Sequence, residues 1–230
     1  MKRYVAALIL TGLLFAPSAA AQSFGSGFSV FLPESMLHRE GSPAVETGLS
    51  TSIGVTPYLS IPVGFTYIKV NGLLPDTDDA DSPWIYSDNL IGTVGLRASL
   101  DIGPVALAAG GGGVLNWMPV YQVLEHTLAQ HFAESTDEIV ALVPGSLETE
   151  LGLGLGWYLE SGIEFKVTPQ IGISLSGRYY QASSPFSAEA EAYTIDTTNP
   201  GNTAAAEPVS TDTRIRLRGI SVGIGGSFRF

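Results

Sequence analysis

The stretch LGLGLGWYLESGIEFKV, Leu151–Val167, has two faces that no single solvent accommodates. Its period-two alternation predicts a β-strand. Eight of the nine odd positions are apolar, whereas the even positions carry four glycines and three charges. A face of that second kind is too small and too charged to pack a dry core. The strand must therefore separate two media.

Seven other segments repeat the pattern. Apolar residues share one face in Phe24–Leu32, Val45–Val55, Leu59–Tyr67, Leu90–Leu100, Val105–Trp117, Ile171–Tyr179 and Ile220–Phe230, which makes eight strands in all. Three connections are short and carry turn residues: Thr56-Pro57-Tyr58, Gly103-Pro104 and Thr168-Pro169-Gln170. The others, about 33–44, 70–89, 118–148 and 181–213, are long. Apolar parity is odd on both sides of the first and third short turns and changes from even to odd across the second. Loops of three, two and three residues then close all three hairpins without a register violation. Short turns at one end and long loops at the other predict an all-β, eight-stranded, antiparallel up-and-down transmembrane barrel.

Every ionisable side chain within these spans falls on the small-residue face: Glu46, Arg97, Asp101, Glu160, Glu164, Lys166, Arg178 and Arg229. A Lys or Arg facing lipid at the bilayer midplane costs about 2–4 kcal/mol, which accounts for the segregation. A soluble barrel would show the same period with its polarity inverted. Aromatic placement argues against that alternative. Tyr58, Phe165, Phe228 and Phe230 lie near the short turns, and Tyr67, Trp117, Trp157 and Tyr179 lie further up their strands. A tilted membrane strand needs about 9–11 residues to cross, and barrels carry aromatic girdles at both interfaces.

The architecture over 22–230 resembles the small eight-stranded outer-membrane barrels typified by the OmpA transmembrane domain, OmpX and OmpW. The terminal run Ile220-Ser-Val222-Gly-Ile224-Gly-Gly-Ser-Phe228-Arg-Phe230 is its most specific element. The resemblance implies periplasmic termini, short periplasmic turns, long extracellular loops and residence in the outer membrane of a Gram-negative-type bacterium. It also implies that Ile220, Val222, Ile224, Phe228 and Phe230 form the signal read by the barrel-assembly machinery.

Export is expected independently. MKRYVAALILTGLLFAPSAAAQ has a basic start, a short apolar run and an Ala-rich cleavage site, which predicts a signal peptide over 1–21 and a mature barrel over 22–230. Removing Lys2 and Arg3 leaves 9 basic against 22 acidic residues. That balance disfavours nucleic acid and general electrostatic docking on an anionic membrane. The absence of cysteine excludes disulfides, a thiolate nucleophile and cysteine metal ligands.

A three-residue turn at 168–170 sets Glu160 opposite Arg178, and Arg97, Asp101, Glu164, Lys166 and Arg229 extend a luminal ion-pair network. Interiors of eight-stranded barrels are filled by side chains, so a structural ion-pair core is preferred over a narrow polar passage. Gly110, Gly112, Gly152, Gly154 and Gly156 predict a roomy upper lumen with a cavity near the outer mouth. In the last strand Ile215 and Leu217 are apolar at odd positions, and from Ile220 the apolar positions are even, which predicts a bulge near Arg218-Gly219. Arg214, Arg216 and Arg218 would line one face near the rim, either paired with acidic loops or touching lipopolysaccharide phosphates.

In the loops, DTDDAD (Asp76–Asp81) lacks the glycine and distal glutamate of an EF-hand and reads as a solvated acidic segment, with weak Ca²⁺ or Mg²⁺ binding as the alternative. Leu124, Leu128, Phe132, Ile139 and Val140 predict a short helix or lid within Tyr121–Leu142. The fourth loop, small and acidic, is expected to be mobile. His38, His126 and His131 all lie in loops and form no nucleophile–base pair; no catalytic, cofactor-binding or metal-binding residue is expected. The sequence thus points to a non-enzymatic, monomeric outer-membrane barrel in a structural or surface-interaction role, surrounded by outer-membrane lipid. A narrow solute channel is the alternative, ahead of a lipid-modifying enzyme or a soluble secreted ligand-binding barrel.

Overall fold

A computed structural model of the chain describes residues 22–38, 42–76, 82–136, 139–195 and 206–230. The expected signal peptide and residues 77–81 of the acidic loop lie outside the described residues. The strands are β1 (Gln22–Pro33), β2 (Ala44–Thr56), β3 (Leu59–Pro75), β4 (Ile85–Ile102), β5 (Val105–Val123), β6 (Ile139–Leu142), β7 (Glu148–Leu151), β8 (Gly154–Lys166), β9 (Ile171–Ile195) and β10 (Glu207–Arg229). A 3-10 turn, Glu34–His38, follows β1, and helix α1 (Glu125–Thr136) lies between β5 and β6. Neighbours run β10-β1-β2-β3-β4-β5-β8-β9, and β9 pairs with β10, so eight antiparallel strands close a ring. Closure leaves this ring no edge to present unpaired backbone to lipid. No helix among the described residues is long and apolar enough to cross a membrane; the strands make the crossing.

The three short turns lie between β2 and β3, β4 and β5, and β8 and β9. Gly103 adopts φ +63° in the second, a conformation that penalises residues with a Cβ. In the third, the Thr168 hydroxyl accepts from the Gln170 and Ile171 amides at 3.2 and 2.9 Å.

Apolar side chains point away from the ring. Leu153, Leu155, Ile173 and Ile224 are 50–66% exposed rather than converging on one another. Both sets of girdle aromatics also face outward: Tyr58, Phe165, Phe228 and Phe230 at the turn end, and Tyr67, Trp117, Trp157 and the half-buried Tyr179 above, with the Trp157 and Tyr179 rings packed at a tilt, centroids 5.3 Å apart. This greasy outer wall is what lipid solvates.

Above the upper girdle the polarity reverses. Ile215 and Leu217 of β10 are completely buried inside, while Arg214, Arg216 and Arg218 point outward. Pairing of β10 with β9 and β1 runs through Arg218-Gly219 in unbroken register, so the expected bulge is absent. Inward positions simply pass from Ser221 and Gly223 to Leu217 and Ile215. The same reversal occurs in β3, where Ile68 and Val70 are buried and Lys69 and Asn71 are exposed.

Several expected loops are folded. The fourth is largely strand: Ala188, Ala190 and Ala192 of β9 are buried, and β9 pairs with β10 on one edge and with β6 and β7 on the other. Helix α1 covers part of the third, burying Leu128 and Phe132, but Leu124 precedes it and Ile139-Val140 belong to β6. Leu151–Val167 is not one strand. Residues pair with β9 at Leu151↔Phe186 and Leu155↔Ser183, a one-residue slip that turns Leu151 toward the interior core and Leu155 toward lipid. The break falls where Gly152 meets Pro185: its amide donates to the Pro185 carbonyl at 2.8 Å, and a Cβ there would lie 3.3 Å from the proline ring. A further bulge at Gly72, φ 99°, precedes the pairing of Ile215 and Arg216 with Pro75 and Leu74. That β3–β10 pairing bridges over the shorter β1–β2 hairpin and closes the head at the long-loop end of the barrel.

Candidate functional site: a luminal septum

The interior divides at mid-height. Its lower part is a cavity of about 150 Å³, lined by hydroxyls and glycines of β1, β2 and β10 on one side and by charged groups on the other. That volume holds several waters. Its ceiling is built on Arg178. The guanidinium Nη2 donates to Glu160 Oε2 at 2.9 Å, and Nη1 donates to the Tyr180 hydroxyl at 2.8 Å. Tyr180 in turn donates to Glu46 Oε1 at 2.8 Å. Arg97 Nε approaches Glu160 at 3.8 Å. The Arg178 carbon Cζ lies 5.4 Å from the Tyr158 ring centroid and 5.6 Å from that of Tyr180, within cation–π range.

Local sequence explains this placement. Glu160 and Arg178 are directly opposite in the β8–β9 register. The Tyr158 ring needs the glycines of its neighbours, since a Cβ at Gly95 would lie 2.7 Å from the Tyr158 hydroxyl. Below the ceiling, Arg229 Nη2 contacts Glu164 Oε2 at 2.7 Å, and Ser227 donates to the same carboxylate. Lys166 contacts Asp101 at 2.5 Å near the turns, where Asp101 is mostly exposed. The seven charged residues singled out in the sequence therefore fall into three groups rather than one network. Glu46, Tyr158 and Tyr180 complete the ceiling and were not among them. Tyr158 carried a signal: it is the one aromatic on the glycine face of its strand.

Immediately above stands an apolar core. Phe31, Ile68, Ile91, Val114 and Leu217 are buried around Tyr158 and Tyr180, with Leu128 and Phe132 of α1 closing the outer side. Buried Asn116 and Asn89 join β5 to β4 at 3.1 Å, and Asn89 also donates to Ser87 at 2.9 Å. The roomy upper lumen is thus not found. A Cβ at Gly156 would strike the Gln181 carbonyl at 1.9 Å, and one at Gly154 would strike Ser184 at 2.3 Å. These glycines permit close strand approach instead of leaving space.

The histidines lie apart from this cluster. His131 packs on Trp84 with centroids 4.7 Å apart, and His126 Nε2 is 3.1 Å from the hydroxyl of its helical neighbour Thr127. Among the described residues no group of three or more His, Asp or Glu side chains is arranged to hold a metal.

The closed ring, the charge-free outer belt and the paired girdles define a membrane-spanning β-barrel. A solved structure shows the same fold. OprG of Pseudomonas aeruginosa is similar at a TM-score of 0.58 and 11% identity, over 92% of this chain and 96% of that one. The N-terminal barrel domain of OprF from the same organism matches at 0.44 and 8% identity, over 91% and 97%. Neisserial surface protein A matches at 0.43 and 15% identity, over 93% and 98%. No protein-family model and no curated protein matches the chain. By its fold the chain is an eight-stranded transmembrane β-barrel, the architecture also seen in OprG.

Proposed function

We propose that this barrel is a closed, non-enzymatic outer-membrane protein that holds a folded extracellular head for a structural or surface-interaction role. The observation that carries the reading is the apolar core stacked on the Arg178 ceiling, because it fills the lumen where a solute would have to pass. Water reaches the lower cavity, but hydrated solutes meet buried Phe31, Ile68 and Leu217 above it. Strand β10 supports a role as assembly signal, since Ile220, Val222, Ile224, Phe228 and Phe230 form an outward row, broken by Gly226, for the assembly machinery to read. The non-enzymatic reading draws on the one hydroxyl–imidazole contact among the described residues, Thr127–His126: it is local to α1, and Thr127 is buried.

The test is planar-bilayer conductance of refolded protein beside Glu160→Ala and Arg178→Ala. The closed reading expects no steady unitary current from the wild type. Steady current would favour the second reading, a narrow polar passage, for which the polar-lined lower cavity is the supporting observation. A current appearing only in the variants would identify the ceiling as the sole barrier and demote the apolar core.

A further inference from the structure

The arginines of β10 occupy an unusual position in an acidic chain. Of the basic residues placed on the membrane strands, Arg97, Lys166, Arg178 and Arg229 point inward and each meets a carboxylate. Arg214, Arg216 and Arg218 point outward on one strand, directly above the lipid-facing column Ile220, Val222 and Ile224. Alternate residues of a strand lie about 6.6 Å apart, so the three guanidinium stems span about 13 Å up the wall. The lowest begins at the upper girdle: Arg218 Nε donates to the Tyr179 hydroxyl at 2.7 Å, and the Tyr179 ring packs at a tilt against Trp157. This is the height of lipid headgroups.

Two of the three are oriented by carboxylates on neighbouring segments. Arg218 Nη1 meets Glu34 at 3.2 Å and is 40% exposed on its side chain; Arg216 Nε meets Asp76 at 3.4 Å and its Nη2 donates to the Pro75 carbonyl at 3.2 Å. Arg214 is exposed and meets no carboxylate among the described residues. Stapling of extracellular segments would use Arg216 and Arg218 but leaves Arg214 without a purpose. It also does not require all three to stand in a column over lipid.

The geometry points to this ladder as a docking strip for the phosphates of an outer-leaflet glycolipid, a headgroup carrying more than one phosphate and lying against β10 above Ile220. Acyl chains would cover Ile220, Val222 and Ile224, Tyr179 would lie at the sugar–chain boundary, and the guanidiniums would take the phosphates in charge-assisted pairs. The net acidity of the chain disfavours general attraction to an anionic surface. A local column overcomes this because exposed charges beyond about 10 Å are screened at 0.1 M salt. The inference concerns the outer wall and holds whether or not the lumen conducts.

The test uses full-length mature barrel in phosphatidylcholine nanodiscs, titrated with lipopolysaccharide and read as a saturable rise in unfolding temperature and by native mass spectrometry. Expected are saturable binding to lipopolysaccharide, at least tenfold weaker binding to its enzymatically dephosphorylated form and to phosphatidylglycerol, and no competition from millimolar inorganic phosphate. Arg214→Gln together with Arg218→Gln should weaken binding at least tenfold. Glu34→Gln, which leaves every arginine in place but removes the competing carboxylate, should tighten it several-fold. Equal binding of the dephosphorylated lipid, effective competition by free phosphate, or unchanged affinity in the double variant would each overturn the proposal. If the double variant fails to fold, weaker or unchanged binding by Glu34→Gln overturns it, because a purely stapling role predicts a less stable protein with no gain in lipid affinity.

Discussion

The lower and upper halves of this molecule are made of the same strands and obey opposite rules. In the membrane half, Ile220, Val222 and Ile224 of β10 face out and Ser221, Gly223 and Gly225 face in. In the head, the same strand buries Ile215 and Leu217 and exposes Arg214 and Asp212. Backbone geometry does not change at the boundary, since register is continuous. The solvent does. Hydrocarbon requires apolar side chains outside, and water requires them inside. One chain therefore carries an inside-out barrel and an ordinary globular core end to end, with the septum where the two interiors meet.

The comparison is broken hardest at the core of the head. Leu217→Asp places an unpaired carboxylate among fully buried side chains and should cost more than about 4 kcal/mol. The expected outcome is loss of protease resistance in the head; retention of wild-type resistance would mean that the upper interior is wet. Arg178→Ala comes next. It strands Glu46 and Glu160, each under 10% exposed on the side chain, and should cost about 3 kcal/mol in urea unfolding. An unchanged midpoint would show that waters already satisfy both carboxylates. On the outer wall Ile224→Arg should cost about 2 kcal/mol, the lower part of the range for a lipid-facing cation. Its refolding yield in bilayers should fall well below that of Ile224→Val, which keeps the outward position apolar. The smallest effect belongs to Asp101→Asn at the short-turn end. Its partner Lys166 sits beside a carboxylate that is 61% exposed, so less than about 1 kcal/mol is expected, disappearing in 1 M salt.

How far each half could be read from sequence follows from the same contrast. The membrane strands were legible because hydrocarbon leaves no exceptions: no charge strays onto the outer face between the girdles. The head alternates just as regularly in Ser187-Ala-Glu-Ala-Glu-Ala-Tyr193, yet three alanines supply little apolar signal and the segment reads as a solvated loop. What buries Ala188, Ala190 and Ala192 is pairing with β6, β7 and β10, and that pairing is non-local. The luminal site divides likewise. Glu160 and Arg178 share one short hairpin, so counting reaches their pairing. Glu46 joins Tyr180 across 134 residues, and no local rule links them. The phase change at Ile220 was visible as a fact, but a bulge and a change of solvent leave the same trace in one strand.

The sequence by itself determined the strand count, the short hairpins, the direction of the greasy face and the height of the membrane belt, since each depends on period two and on the cost of charge in hydrocarbon. Only the tertiary structure decided where the polarity turns over, what fills the upper barrel and how the ceiling of the cavity is assembled. Those features arise when distant strands close a ring, because curvature and neighbours, not alternation, choose which inward side chains meet.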